Sequence, residues 1–213
     1  MQTKGFVINI GREVGSGGKA VGEIVARRLG AALYDKELIA LAAERSGLCP
    51  ECFERTDERP SRSLFAALVG YLRAPFAGDD GAAAASPLSG EALFQVQSDV
   101  IRGLAARESC VFVGRCADYI LRDHPRVLNV FISGARADRI RRVAERRGIA
   151  EREAEALIER EDARRAAYYN YYSCGRWGQA ATYHLCIDSS ALGLEATADC
   201  IVAFAARKLG IEL

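Results

Sequence analysis

The opening of the chain constrains its fold more than any other stretch. A short apolar run, FVINI (6–10), feeds into the glycine-rich GREVGSGGKAVG (11–22), and VGEIVARRLG then carries helical periodicity closed by Gly30. A run of that kind reads as a strand buried on both faces. Gly15, Gly17 and Gly18 free the backbone for a tight reversal, and a glycine just past a helical pattern is its usual stop. Strand, glycine loop and helix in that order commit the chain to layers, because a strand buried on both faces needs helices above and below it.

The rest of the chain repeats the alternation. ALYD (32–35) reads as a second strand, followed by a helix over KELIALAAERSG (36–47). Between Pro50 and Gly90 the periodicity breaks, with a weakly amphipathic SLFAALVGYL (63–72) and a loop-like GDDGAAAASPLSG (78–90). EALFQVQSDVIRGLAAR (91–107) is a predicted helix, and CVFVG (110–114) and VLNVFI (127–132) are predicted buried strands. Helices follow over 135–148 and 152–172, then a last strand in HLCIDSS (184–190) and a closing helix over 194–210. This predicts an α/β fold: one domain over 1–213 with a parallel sheet of about five strands flanked by helices, and excursions at about 50–90 and 148–180.

Composition excludes several classes. Half of the residues are hydrophobic, enough for a sizeable core. Lys plus Arg is 29 against 28 Asp plus Glu, a net charge of +1, which argues against duplex nucleic acid as the main partner. No apolar stretch approaches the length of a membrane span, and the first residues lack a leader pattern. Seven cysteines, an odd number, then point to reduced thiols and the cytoplasm. Cys49 and Cys52 form a lone CPEC, which reads as a turn because zinc would need a second pair. Of the 29 basic residues 25 are arginine, the planar fork suited to phosphate and carboxylate.

GSGGK (15–19), between a buried strand and a helix, can present successive backbone N–H groups to an anion such as phosphate. It does not match G-x-x-x-x-G-K-[ST] in either register. With Lys19 as the pattern lysine, Glu13 replaces the first glycine and Ala20 the hydroxyl residue. With Gly15-Ser16-Gly17 on the last glycines, Arg12 takes the first position, Gly18 the lysine position, and Lys19 falls one place late.

INIGREVGSGGKAVG, LYDKELI (33–39), VFVGRCADYIL (112–121), the Asp162 and Arg165 of EREDARRAAYY, WGQAATYHLCIDSS (177–190) and LGLEAT (192–197) stand in an order and spacing that resembles the cytidylate kinase-like family, a branch of the phosphate-loop (P-loop) nucleoside monophosphate kinases. The resemblance implies transfer of the ATP γ-phosphoryl group, with Mg²⁺, to a small acceptor such as CMP. It implies an acceptor region at about 50–90 and a lid at about 148–180. Arg12, Gly15, Ser16, Gly17, Gly18 and Lys19 would cradle the donor phosphates, with Arg12 or Lys19 supplying the displaced charge, and Ser189 would lie against the donor adenine. Asp35 would orient acceptor or metal, or cap the helix after it. Arg115 would grip the acceptor, while Arg160, Arg164 and Arg165 of the lid would meet the transferring group. Tyr168, Tyr169, Tyr171, Tyr172 and Trp177 would pack the lid. Cys116 stands where true cytidylate kinases have aspartate, so the acceptor stays open, as do the metal ligand and a homodimer. A kinase of another small hydroxylated or phosphorylated metabolite, or a nucleotide-binding regulator without turnover, are the alternatives.

Overall fold

The computed structural model describes residues 5–35 and 90–212. The expectations for a helix at 36–47, for CPEC and for the excursion before Gly90 lie outside them. Five strands form one sheet: β1 (Val7–Arg12), β2 (Ala32–Tyr34), β3 (Cys110–Val113), β4 (Val127–Ser133) and β5 (Leu185–Asp188). Their order is β2-β3-β1-β4-β5, and every pairing is parallel. The helices are α1 (Gly18–Leu29), α2 (Gly90–Arg107), the single turn α3 (Ala117–Ile120), α4 (Arg136–Arg147), α5 (Glu151–Tyr172) and α6 (Ser189–Leu209).

The strand period of two sorts the core into layers. Ile8 and Ile10, Val111 and Val113, and Leu128, Val130 and Ile132 point to one face, where Val21, Ile24 and Val25 of α1 and Ala198, Ile201 and Ala205 of α6 cover them. Val7, Cys110 and Phe112 point to the other, against Val100, Ile101 and Leu104 of α2 and Ile120 of α3. β1 is the central strand, in register with Cys110 on one side and Val127 on the other through Val7. Ligands of open α/β sheets bind at the carboxyl ends of the strands, and here that end of β1 leads into the glycine loop.

A third cluster joins the loop to the two charged helices: Val14 packs with Val143 and Ala144 of α4 and Ala154 and Ile158 of α5. α6 is the one described helix long and apolar enough by length and composition to cross a membrane, yet Ala198, Ile201 and Ala205 are buried against the sheet. Its start differs from the expectation at 194. The first turn begins at Ser189, capped by the Asp188 side chain, and Gly193 (φ 77°, ψ 170°) breaks it from the long helix that follows. The sequence pattern therefore caught the long segment and missed the turn before the break.

Candidate active site

Gly15 (φ 81°) and Gly17 (φ 77°) take the left-handed conformation, and Gly17 caps α1. Gly18 and Lys19 are the first two helical residues, so the loop delivers a helix N-terminus to the carboxyl end of β1. The loop is held from outside. Arg139 of α4, only 8% exposed, donates from Nε to the Val14 carbonyl at 2.8 Å, pairs through Nη1 with Glu13 at 3.1 Å, and binds Asp162 of α5 through Nη2. The other Asp162 oxygen accepts the Val14 N–H at 2.8 Å. Glu13 also accepts the Gly134 N–H at 3.1 Å, and the Ser189 hydroxyl donates to the Ser16 carbonyl at 2.7 Å. Ser189 thus ties α6 to the loop.

Arg12 leaves β1 and crosses the start of α1. A Cβ on Gly18 would lie 2.6 Å from the Arg12 Cβ and 2.8 Å from its Cγ, so a side chain at position 18 and the Arg12 stem exclude each other. A Cβ on Gly114 would lie 1.9 Å from Arg12 Nη1. The arginine is threaded between two glycines, one in the loop and one at the end of β3. Burial, then Arg165 and Arg115, pushes its guanidinium well below the ordinary arginine value. Asp35 and Asp162 act in the opposite direction, and three guanidinium groups so close together suit an anion.

Gly114 (φ 81°), Arg115 (φ 63°) and Cys116 (φ 55°) are three successive left-handed residues. For the two that are not glycine this costs about 1–3 kcal/mol each. Gln97 of α2, fully buried, donates to the Arg115 carbonyl at 3.1 Å and to the Tyr168 hydroxyl at 3.3 Å, which helps fix the turn. The turn brings Arg115 into a narrow cleft, open to solvent, that Arg12, Arg165, Asn9, Asp118 and Tyr169 also line. Trp177 and Tyr183 close one side, packed edge-on and tilted against Phe131.

Of the expected site residues, the structure brings Arg12, Arg115 and Arg165 to this cleft. Arg165 donates to the Arg12 carbonyl at 3.0 Å. Lys19 and Asp35 meet beside it: Lys19 Nζ lies 2.6 Å from an Asp35 oxygen, with Asp35 buried and Lys19 exposed. Arg160 and Arg164 are not brought in. Both are exposed and pair with Glu161, because their helical positions turn them outward from the face that carries Asp162 and Arg165. Tyr172 stacks on Phe94 at 4.1 Å, in keeping with a packing role, whereas Tyr168 and Tyr169 also line the cleft. Sequence reasoning missed Arg139, Asp118 and Asn9. Arg139 is one arginine among several in its helix, with no signal of its own; Asp118 follows GRC by two residues; Asn9 is the polar residue within FVINI.

The chain belongs to the cytidylate kinase-like family, whose model matches residues 7–191. Among solved structures it is similar to an uncharacterized protein from Eubacterium ventriosum ATCC 27560, with 28% identity, a TM-score of 0.69, and 94% of this chain and 98% of that one covered. It shares its fold with a gluconokinase from Sinorhizobium meliloti 1021 (16% identity, TM-score 0.53, 99% and 96% covered) and a shikimate kinase from Bacteroides thetaiotaomicron (13%, 0.51, 93% and 97%). The fold is therefore that of the P-loop kinases. No curated protein sequence matches the chain.

Two predictions follow from this geometry. Gly114→Ala puts a methyl group on the Arg12 guanidinium and a side chain at φ 81°; it should lower nucleotide-dependent turnover at least tenfold and reduce thermal stability. An alanine variant with wild-type turnover would show that Arg12 does not depend on that path. The second concerns pH. Burial raises the Asp118 carboxyl above its ordinary 3.8, against the hydrogen bond from Tyr169. The folded state then holds that proton more tightly than the unfolded one, and the stability it contributes is lost as pH rises through the raised value. Asp118→Asn should gain in melting temperature over wild type progressively from acid to neutral pH. A constant difference across that range would contradict it.

Proposed function

We propose that the chain transfers the γ-phosphoryl group of ATP to a small anionic acceptor, a nucleoside monophosphate such as CMP, acting as one cytoplasmic domain with α5 as its lid. The observation that carries this reading is the convergence of Arg12, Arg115 and Arg165 on one cleft along the carboxyl end of β1. Phosphoryl transfer needs little covalent chemistry from the protein. It needs both phosphates held in line and the charge on the equatorial oxygens neutralised. The N–H groups at the start of α1 and the loop suit the donor phosphates, Arg115 suits the acceptor anion, and Arg12 and Arg165 lie between them.

In this reading the register with Gly18 at the lysine position holds, and Arg12 supplies the cation. Its stem fills the space a lysine side chain at 18 would need. Lys19 then occupies the hydroxyl position and is neutralised by Asp35. A Mg²⁺ carried in with ATP would find one carboxylate, Asp35, and no loop hydroxyl at the usual place. Ions of this kind are commonly held through one or two carboxylates plus substrate phosphates, so the donor set fits. Mg²⁺ would supply neutralisation of the donor phosphates. Lys19, exposed on a flexible stem, can yield Asp35 to it.

A kinase of another small acid is the second reading. Cys116, buried and uncharged, favours it, since it stands where true cytidylate kinases place a carboxylate. A coupled ADP-release screen over nucleoside monophosphates, gluconate and shikimate separates the two. Metal-dependent ADP release with CMP supports the first; release with the hydroxy acids alone supports the second; ATP binding without release by any acceptor points to a regulator. With the working acceptor, Arg12→Ala should lower kcat by about 10² to 10³, the usual loss for one charge-assisted contact to developing negative charge. Lys19→Ala and Asp35→Asn should be non-additive, because each removes the other's partner. Full activity of Arg12→Ala would return the role of loop cation to Lys19.

A further inference from the structure

β5 ends the sheet. Among the described residues it pairs with β4 alone, so its outer side is open to another strand. The His184 N–H donates inward to the Asn129 carbonyl, and alternation along the strand then turns the N–H groups of Leu185 and Ile187 outward. Leu185 and Ile187 pair with Val130 and Ile132, on the sheet face that α6 covers, yet both are only half buried. Cys186 and Asp188, on the other face, are exposed. The strand LCID carries neither lysine nor proline, residues that commonly guard an open edge.

α6 extends the apolar patch beside this edge. Burial, then the charge of Lys208, pulls His184 below the ordinary histidine value, so Lys208 stands near the start of β5 and α6 runs back along the strand. Phe204 and Cys200 precede Lys208 by four and eight residues on the same side of the helix. They sit about 6 and 12 Å back along its axis, level with the rest of β5. Phe204 is 37% exposed, Cys200 is exposed, and Lys208 forms no ion pair among the described residues.

We propose that two copies of the chain associate through β5, strand against antiparallel strand, joining their sheets into one with the Phe204 sides of the two α6 helices alongside. The strand is complementary to itself. Turned about a two-fold axis through Cys186, a second copy sets Leu185 against Ile187 and His184 against Asp188, at both ends. One Asp188 oxygen accepts the Ser190 N–H, and the carboxylate then also faces the imidazole and neighbouring Lys208 of the second copy. Four residues of strand give few hydrogen bonds, so burial of Leu185, Ile187, Cys200 and Phe204 supplies most of the attraction. The two Cys186 residues come to lie opposite each other at about 4.5 Å between Cα atoms, within reach of a disulfide. The association is independent of the kinase reading and of the acceptor.

Sedimentation equilibrium of the full chain should show a dimer with a Kd below about 10 µM. Oxidation by copper–phenanthroline in air should convert two Cys186 thiols into one disulfide and trap a covalent dimer, which Cys186→Ser abolishes. Cys186→Arg sets like charges together on the axis, and Phe204→Glu puts a charge into the apolar contact. Both positions are exposed, so each variant should keep the wild-type circular dichroism spectrum and associate at least about tenfold more weakly. If Cys186→Arg misfolds, Phe204→Glu and the Cys186→Ser comparison decide. A chain that stays monomeric at about 100 µM, a dimer unmoved by both charged variants, or a dimer with no Cys186-dependent cross-link overturns the proposal.

Discussion

The buried guanidinium of Arg139 is the contact on which the site's geometry depends. It reaches Glu13, the Val14 carbonyl and Asp162 at once, so one side chain of α4 fixes the loop and α5 in a single arrangement. Asp162 completes the circuit by accepting the Val14 N–H. An ion pair taken out of water is not by itself a source of stability, since desolvation offsets much of the attraction. Its use here is positional. Asp162 and Arg165 lie one helical turn apart, so holding the first on the loop sets the second over the Arg12 carbonyl. Glu13, which breaks the phosphate-loop pattern in one register, is a structural member of this network.

Given that clamp, like charges and unusual backbone conformations are held close together in the cleft. Arg12, Arg115 and Arg165 repel one another, and Arg115 and Cys116 hold backbone conformations that residues with a Cβ disfavour. Gln97, fully buried beneath the turn, helps hold it in place. Strain and like charge concentrated at one end of a parallel sheet are what a site preorganised for an anion requires.

The layers were legible in the sequence because they follow from local pattern. Two-face-buried runs such as CVFV and a 3.6-residue period in α1 place strands and helices without knowledge of tertiary contacts. In the cleft Arg12 and Arg115 were legible, each beside a glycine that punctuates the pattern. What was not legible depends on rotation about a helix. Arg160, Arg164 and Arg165 are equivalent as letters, and only the docking of α5 on Val14 and Asp162 decides which of them faces inward. Arg139 was hidden for the same reason, and Asn9 because a polar residue in an apolar run carries no direction until the sheet's two faces are assigned.

The irregular loop is better regarded as a set of linked exchanges than as a damaged pattern. Moving the cation from position 18 to Arg12 demands that position 18 lose its side chain, because the two would occupy one space. It also demands a glycine at 114, where the guanidinium ends. In the register proposed above the charge comes from the strand side, and Lys19, one place after Gly18, lies 2.6 Å from Asp35. A lysine at 18 would meet the stem of Arg12, and an alanine at 114 would meet its tip. Such coupling is the condition under which single substitutions fail and combined ones succeed. In that register the departure from the pattern is internally consistent: Arg12 stands beside the loop from the strand side, in the space a side chain at 18 would need.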